Sequence, residues 1–360
     1  MQRSSEELNK KDPGSKRSGD SRKSLILFLA IFLVAGVILF VFPFEKKINK
    51  IDPKDRVKSK KEKDYELFTP SSCTHKCEGK ENKNVPKTRR DPHGPYYHKI
   101  YTATSKDGLN WKTQKKMVFN HSSVPGAIIR DGVIYVYFVD ANYSEFQLSI
   151  AISKDLGKTY KKYKTNVYGV DPNPVVTDDG KIKLYCLSRL TRVYSAVSDD
   201  GINFTNPKII METQHEIKLN DKTLKKRLTD PDVFKTDRDW RMFLSEGAGL
   251  RLFVSDDGGD TFSLVKDFFW GHGGVSCTYN FHGTYMIFFG TMKGIEIAKM
   301  GKMGMKIEPG AGIKNGEDGP VSSPSVIQLP DGTYMMYYHV DISRKPLKHF
   351  PTKRGSMQRF

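Results

Sequence analysis

Two aspartates occupy the same local pattern, in which an Asp-Pro pair opens a short apolar run: Asp171 and Asp230. If a fold brings two such carboxyl groups together, they can serve as a general acid and a general base, because one can stay protonated while the other is ionised. The pattern is also ordinary turn chemistry, since Asp accepts backbone N–H groups and Pro restricts φ. It therefore leaves two roles open, a catalytic pair and a pair of structural turns.

A third carboxylate would have to come from the far end of a neighbouring strand. Glu246 stands in Ser-Glu-Gly directly after an apolar run, and Asp140 ends another such run. Each could reach the place where the two aspartates meet, or remain a solvated strand end.

These residues belong to a repeat that recurs five times, with copies starting at positions 124, 171, 230, 274 and 323. Each copy has a short inner run, a turn often marked Asp-Gly, and an aromatic-rich strand. A second motif, a turn that begins Ser-x-Asp and ends on an aromatic residue, starts at positions 105, 153, 198 and 255. In this turn Asp accepts backbone N–H groups, Gly supplies a positive φ and the aromatic side chain anchors the next strand. Each repeat is thus predicted to contain four strands.

Four antiparallel strands in repeats that step by 47, 59, 44 and 49 residues predict the blades of an all-β propeller. Five inner hairpins mean five blades, and a sixth would need another inner hairpin, which the sequence lacks. The strand pair at 96–117 has no inner hairpin before it, and the fifth hairpin has no strand pair after it. The N-terminal strands are therefore expected to complete the C-terminal blade, which leaves no free sheet edge between the first and last blades.

The Ser-x-Asp turns resemble the Asp boxes of sialidases, and residues 153–160 and 255–262 match the full S-x-D-x-G-x-T-aromatic pattern. Such boxes lie on the propeller rim, so this likeness implies architecture rather than chemistry. The blade count and the inner motifs at 170–174 (VDPNP) and 229–234 (TDPDVF) look more like the five-bladed glycosidases of the arabinanase, β-xylosidase, invertase and levansucrase group. That resemblance covers roughly residues 96–340.

The second resemblance implies a glycoside hydrolase with one carboxylate at the start of the inner strand in three successive blades. Asp171 would match the base or nucleophile, and Asp230 the Asp that tunes a pKa or stabilises the transition state. The acid Glu would fall near residue 274, where the sequence has WGHGG at 270–274, so Glu246 is the nearest replacement. The residues expected to bind substrate are Asp140, Arg189, Arg227, Trp270 and His272.

The departure at residue 274 keeps a second interpretation open, a propeller that binds a glycan or a protein without turnover. Trp270 could stack on a sugar or belong to the core, and His272 could bind hydroxyl groups or stand in a polar loop. No cofactor is predicted, and the four Cys at 73, 77, 186 and 277 lack the paired spacing of a zinc site. A central structural ion, which His272 could bind, is an alternative that no motif indicates.

Charge argues against nucleic acid as a partner. The chain has 59 basic and 41 acidic residues and a net charge of +18. Residues 96–340 hold 31 basic and 27 acidic side chains, so most of the excess lies on the flanks and tails. A basic groove on the folded part is therefore not expected.

The uncharged run at 25–42 predicts a transmembrane helix, and Pro43 and Phe44 extend it to 20 residues. At about 1.5 Å per residue this length nearly spans a hydrocarbon core of roughly 30 Å. A cleaved signal peptide and a buried core helix are the alternatives; the run lacks a small-residue cleavage site, and its flanks are charged. Seven Lys/Arg precede the helix and nine follow it, so charge does not decide the orientation. A signal anchor with the propeller outside the cytosol is favoured, and sequons at Asn120, Asn142 and Asn203 permit that orientation.

The predicted organisation has five parts: a basic tail (1–23), a transmembrane signal anchor (24–44), a charged stalk (45–92), the propeller (93–341) and a basic tail (342–360). Within the stalk, Cys73 and Cys77 could form a local disulfide or remain free thiols. Cys186 and Cys277 fall in strand-like runs and are expected in the core. The predicted partners are a glycan and, through residues 25–44, a lipid bilayer.

Overall fold

The computed structural model describes residues 93–344, apart from positions 143, 189–190, 220–221, 267 and 302–303. The predicted membrane helix, the N-terminal tail, the stalk with Cys73 and Cys77, Arg189 and most of the C-terminal tail lie outside the described residues. Within those residues, no helix combines the length and the apolar character needed to span a membrane.

The described residues form an all-β propeller of five blades. A short 3-10 helix (Pro95–Tyr97) precedes three strands: β1 (His98–Ser105), β2 (Lys112–Thr113) and β3 (Phe119–Asn120). The first blade contains β4 (Ser122–Arg130), β5 (Val133–Asp140), β6 (Ser144–Ser153) and β7 (Lys161–Tyr168). The second contains β8 (Val170–Val176), β9 (Ile182–Ser188), β10 (Arg192–Ser198) and β11 (Thr205–Glu212).

A separate hairpin, β12 (Gln214–Leu219) and β13 (Lys222–Arg227), stands between the second and third blades. The third blade contains β14 (Thr229–Lys235), β15 (Trp240–Glu246), β16 (Gly249–Ser255) and β17 (Ser263–Leu264). The fourth contains β18 (Gly274–Phe281), β19 (Thr284–Thr291), β20 (Gly294–Gly301) and β21 (Gly304–Ile307), and β22 (Ile313–Lys314) also pairs with β20. The inserted hairpin explains why the step to the third blade is the longest.

The fifth blade is built from both ends of the propeller, and the predicted circular closure is confirmed. Its first two strands are β23 (Val321–Gln328) and β24 (Tyr334–Asp341), and its next two are β1 and β2. β24 pairs with β1 from His98↔Asp341 to Ser105↔Tyr334. This antiparallel pairing closes the ring of blades.

Apolar clusters fill the junctions between neighbouring blades. Side chains alternate across a strand, so one strand serves two junctions. In β24, Tyr337 packs against the first blade, whereas Met336 and Tyr338 pack against the fourth. This use of both faces explains why the second strands of the blades are continuous apolar runs rather than alternating ones.

The Ser-x-Asp turns are held by their own side chains. In the turn after β6, Ser153 Oγ accepts the Gly157 N–H at 2.8 Å, and Asp155 Oδ1 accepts the Thr159 N–H at 2.9 Å. The aromatic residue that follows, Tyr160, donates to or accepts from Tyr337 of the fifth blade at 2.8 Å. The turn therefore ties one blade to the next, as well as connecting two strands.

Each inner strand bulges near its first residues, and the bulged residue has a left-handed backbone. The five residues are Val124 (φ 45°), Asp171 (54°), Asp230 (53°), Val275 (53°) and Ser323 (50°). The strand register slips at the same places. A positive φ at a residue other than Gly is uncommon and clusters at functional sites. In the fourth blade the equivalent position is Val275 rather than Gly274, one residue later than the repeat indicated.

A ring of hydrogen bonds joins the blades just behind the bulges. At four blade junctions, the side chain of the residue two positions after the bulge accepts a hydrogen bond from the next blade. The donor is the backbone N–H of the residue three positions after that next blade's bulge. The bonds are Val233 N–H to Asn173 Oδ1 (2.9 Å), Thr278 N–H to Asp232 Oδ1 (2.9 Å), Val326 N–H to Cys277 Sγ (3.4 Å) and Ala127 N–H to Ser325 Oγ (2.8 Å). At the remaining junction, between the first and second blades, the acceptor position is Gly126, which has no side chain, and the donor position is Pro174, which has no N–H. This pair of positions therefore leaves no polar group without a partner.

Two stacked histidines lie in the closing strand pair. The rings of His98 and His339 are 4.3 Å apart, and Ser123 Oγ lies 2.6 Å from His98 Nδ1 and 3.5 Å from His339 Nδ1. Asp341 approaches His98 at 3.9 Å and pairs with Arg344 at 3.1 Å. Burial, reinforced by the neighbouring His98, holds the pKa of His339 well below its usual value. The His339 ring is therefore neutral at pH 7.

Replacing His339 by Gln should reduce the loss in the free energy of unfolding that occurs as the pH falls below neutral. A His whose folded pKa lies below its unfolded value contributes stability that is present above about pH 6.5 and lost as the pH falls, by up to about 1.4 kcal/mol per pH unit. Urea unfolding between about pH 7 and pH 5 should show the wild type losing stability relative to His339→Gln. The exposed His272→Gln serves as the control, and an equal effect of the two substitutions would contradict the assignment.

Candidate active site

The five bulges surround one small cavity at the end of the central axis where the inner strands begin, which we call the mouth. The cavity has a volume of about 40 Å³, and all five bulged residues line it. Among its described lining residues, Asp171 and Asp230 carry the only carboxylates. The structure thus brings these two predicted residues to one place, from the second and third blades.

The two aspartates differ in the groups that donate hydrogen bonds to them. Asp171 accepts a hydrogen bond from the backbone N–H of Asp230. Asp230 accepts one from Thr229 Oγ1 at 2.6 Å and another from the hydroxyl of Ser245. Ser245 Oγ in turn accepts the N–H of Val275 at 2.7 Å, which directs its single proton toward Asp230.

Burial raises the pKa of both carboxyl groups. The neighbouring Asp230 charge raises the pKa of Asp171 further, to well above its usual range. The hydroxyl donors Thr229 and Ser245 oppose the rise at Asp230. When two carboxyl groups interact in this way, a proton is favoured on the group with the more strongly raised pKa, which here is Asp171.

Glu246 does not line the mouth cavity. It is buried at the end of β15, where its carboxylate accepts Lys226 Nζ at 2.5 Å and Arg251 Nε at 2.6 Å. Burial raises its pKa, but these two hydrogen bonds outweigh burial and hold the pKa below its usual value. A role as the proton donor stays a prediction, and this geometry favours an ionised anchor.

The remaining predicted residues are dispersed around the mouth rim. Asp140 is fully buried at the end of β5, where its Oδ1 accepts the Asn142 N–H at 3.0 Å, and its Oδ2 has no partner among the described residues. Arg227 is exposed at the base of the β12–β13 hairpin, and His272 is exposed in the loop before β18. Trp270 is partly buried and packs edge-on against Phe289 at 4.6 Å. None of the four lines the mouth cavity.

Asp232 is a buried carboxylate on the axis that the sequence interpretation did not single out. Besides the ring bond, its Oδ2 accepts the hydroxyl groups of Ser276 and Thr278, each at 2.8 Å. It lines a second cavity of about 230 Å³ behind the bulges, which is lined by all five inner strands. In the repeat, Asp232 stands two residues after a bulged Asp, as Asn173 does in the second blade. This equivalence is the feature of the sequence from which Asp232 could have been identified.

Comparisons with known proteins bear on the fold alone. Neither a scan of family models nor a search of curated proteins finds a match. Among solved structures, the chain is similar to the catalytic domain of the Coprinopsis cinerea GH62 α-L-arabinofuranosidase (10% identity, 67% of this chain and 97% of that chain covered, TM-score 0.47). It is also similar to an endo-1,4-β-xylanase from Bacteroides thetaiotaomicron (13%, 59% and 86%, 0.45) and a GH43 β-xylosidase/α-arabinofuranosidase from a compost metagenome (16%, 60% and 84%, 0.43). At these scores the five-bladed architecture rests on the strand pairing described above.

Proposed function

We propose that the chain is a carbohydrate-active propeller in which Asp171 and Asp230 form an acid–base pair at the mouth. The observation that carries this proposal is the placement of two carboxyl groups, from neighbouring blades, on one cavity, with the pKa of Asp171 raised further by the Asp230 charge. Cleavage of a glycosidic bond needs one protonated and one ionised carboxyl. Asp171, with the more strongly raised pKa, would donate the proton, and Asp230, which two hydroxyl groups favour as a carboxylate, would accept one. This assignment differs from the roles implied by the resemblance to five-bladed glycosidases, in which Asp171 would be the base or nucleophile, Asp230 the Asp that tunes a pKa or stabilises the transition state, and Glu246 the nearest replacement for the acid.

A second candidate is a propeller that binds a glycan without cleaving it. Two observations favour it: Glu246 is held in two ion pairs, and the mouth cavity of about 40 Å³ is too small to enclose a sugar ring. A glycan would then lie across the mouth rather than inside it.

Hydrolysis of a glycan panel by the full chain in detergent separates the two candidates. Release of reducing ends by the wild type, lost in Asp171→Asn and Asp230→Asn, would support the enzyme. The matched control is Asp256→Asn, an exposed Asp in the turn after β16. Activity that persists in both mouth variants would rule out the proposed pair, and glycan binding without any turnover would favour the binding module.

The membrane anchor is part of the same proposal, with residues 25–42 as the span and the propeller on the extracytosolic side. Protease protection of sealed membranes tests the orientation. Asn142 Nδ2 donates to Asp140 Oδ1 at 2.8 Å, and Asn203 Nδ2 donates to Asp200 Oδ2 at 2.7 Å. Asn203 is exposed, whereas Asn142 is only partly exposed and the Oδ1 atom of Asn120 is buried, so Asn203 is the sequon to examine for glycosylation.

A further inference from the structure

A chain of charge contacts runs along the rim of the third blade, close to the carboxyl pair. Lys226 and Arg251 hold the two oxygens of Glu246, and the Arg251 guanidinium lies 4.7 Å from the ring centre of Phe269. Glu246 directly follows Ser245, whose hydroxyl donates to Asp230. Ser245 therefore links these rim residues to the carboxyl group of Asp230 at the mouth.

Arg251 is only partly used by these contacts. Its Nε donates to Glu246, and neither of its Nη atoms has a hydrogen-bond partner among the described residues. The side chain is 32% exposed, so these donors are open to solvent. A guanidinium whose position is fixed while its outer N–H groups are free is suited to bidentate binding of a carboxylate.

Phe269 provides an apolar surface beside those donors. It is 50% exposed, so part of its ring is open to solvent. Two glycines hold the ring in place, since a Cβ on Gly249 would lie 2.4 Å from it and one on Gly271 would lie 3.3 Å from it. The loop is pinned to β16 by paired backbone hydrogen bonds between Trp270 and Leu250, at 3.0 and 3.1 Å. These bonds fix the loop that carries the ring, which lowers the entropic cost of binding.

The neighbouring hairpin adds positive charge. Residues 214–227 contain five basic and two acidic residues, a net +3, whereas residues 96–340 as a whole hold 31 basic and 27 acidic residues. Most of the net charge of the propeller thus lies in one insertion, whose base carries Lys226 and Arg227. A local excess of this kind raises the concentration of anionic ligands near the mouth.

From this geometry we propose that the rim binds a uronic-acid residue of an acidic glycan, with the sugar carboxylate on the free Arg251 N–H groups and the sugar face on Phe269. This proposal identifies the class of substrate that would bind beside the mouth. Only the cleavage of that substrate depends on the proposed function. The hairpin attracts the polyanion, and the rim positions one acidic sugar next to Asp230.

Binding of polygalacturonate and of its fully methyl-esterified form by the full chain in neutral detergent tests the proposal, because esterification replaces each carboxylate by an uncharged methyl ester on the same sugar backbone. The wild type should bind the acidic form about tenfold more tightly in titration calorimetry. Arg251→Lys keeps the charge but loses the planar fork, so most of the preference should disappear. Phe269→Ala should weaken both forms alike. Arg227→Gln, at an exposed site that carries no packing, should lower the affinity for the acidic form by a smaller factor.

Three controls make the result decisive. Leu264→Ala is an exposed apolar control on the outer edge of the third blade, and Lys154→Gln removes an exposed cation from a Ser-x-Asp turn. Asp230→Asn should keep the preference for the acidic form while turnover is lost. Equal affinity of the wild type for both polymers, or a loss in Lys154→Gln as large as that in Arg251→Lys, would overturn the inference. A preference without hydrolysis by the wild type would support this inference and refute the enzymatic proposal alone.

Discussion

Replacing Asp232 by Ala should lower the free energy of unfolding by about 3–5 kcal/mol, because three buried donors lose their acceptor and each costs about 1–3 kcal/mol when unsatisfied. The donors are the Thr278 N–H, the Thr278 hydroxyl and the Ser276 hydroxyl. They belong to the fourth blade, so the loss falls on the junction between two blades. Burial raises the pKa of Asp232 and opposes its ionisation, and the three donors offset only part of that rise.

Ser325→Ala is the matched control for this prediction. Ser325 occupies the equivalent position of the fifth blade, but it accepts a single N–H, that of Ala127. Its loss should cost about 1–2 kcal/mol. Both variants can be measured by urea unfolding of the full chain, and an Asp232→Ala variant no less stable than Ser325→Ala would show that the ring does not join the blades in the way described.

Replacing Asp171 by Asn should abolish turnover and stabilise the fold at neutral pH. Loss of a general acid or base costs about 10²–10⁴-fold in rate. A carboxyl whose folded pKa is raised contributes stability that is present below its unfolded pKa of about 3.9 and lost as the pH rises through the folded pKa. Asn does not ionise, so the variant should match the wild type near pH 4 and exceed it at pH 7, by an amount on the order of 1 kcal/mol.

The measurement is a set of unfolding curves between about pH 4 and pH 7, with hydrolysis measured on the same preparations. Asp256→Asn, in an exposed turn, should change neither quantity. A variant that loses activity without gaining stability at neutral pH would contradict the raised pKa of Asp171. A gain in stability at every pH would point to removed strain rather than to titration.

The repeat predicted most of the architecture, because each copy carries its own turn chemistry and apolar pattern. Residues such as Asp155 and Gly157 mark a turn from local interactions alone, and such interactions can be recognised in a sequence. Five copies predicted five blades, and the unpaired strands at either end predicted the closure of β1 on β24. Two Asp residues at equivalent repeat positions also predicted that Asp171 and Asp230 would come together.

What the sequence by itself determined, then, is the number of blades, their circular closure and the identity of the two acidic positions that face the axis, since all three follow from local patterns repeated along the chain. Only the tertiary structure decided which residue bulges in the fourth blade, that Glu246 is held by Lys226 and Arg251, and that Phe269 rather than Trp270 presents its ring to solvent. These features depend on contacts between blades and loops far apart in sequence, and no local pattern encodes which partner such a side chain meets.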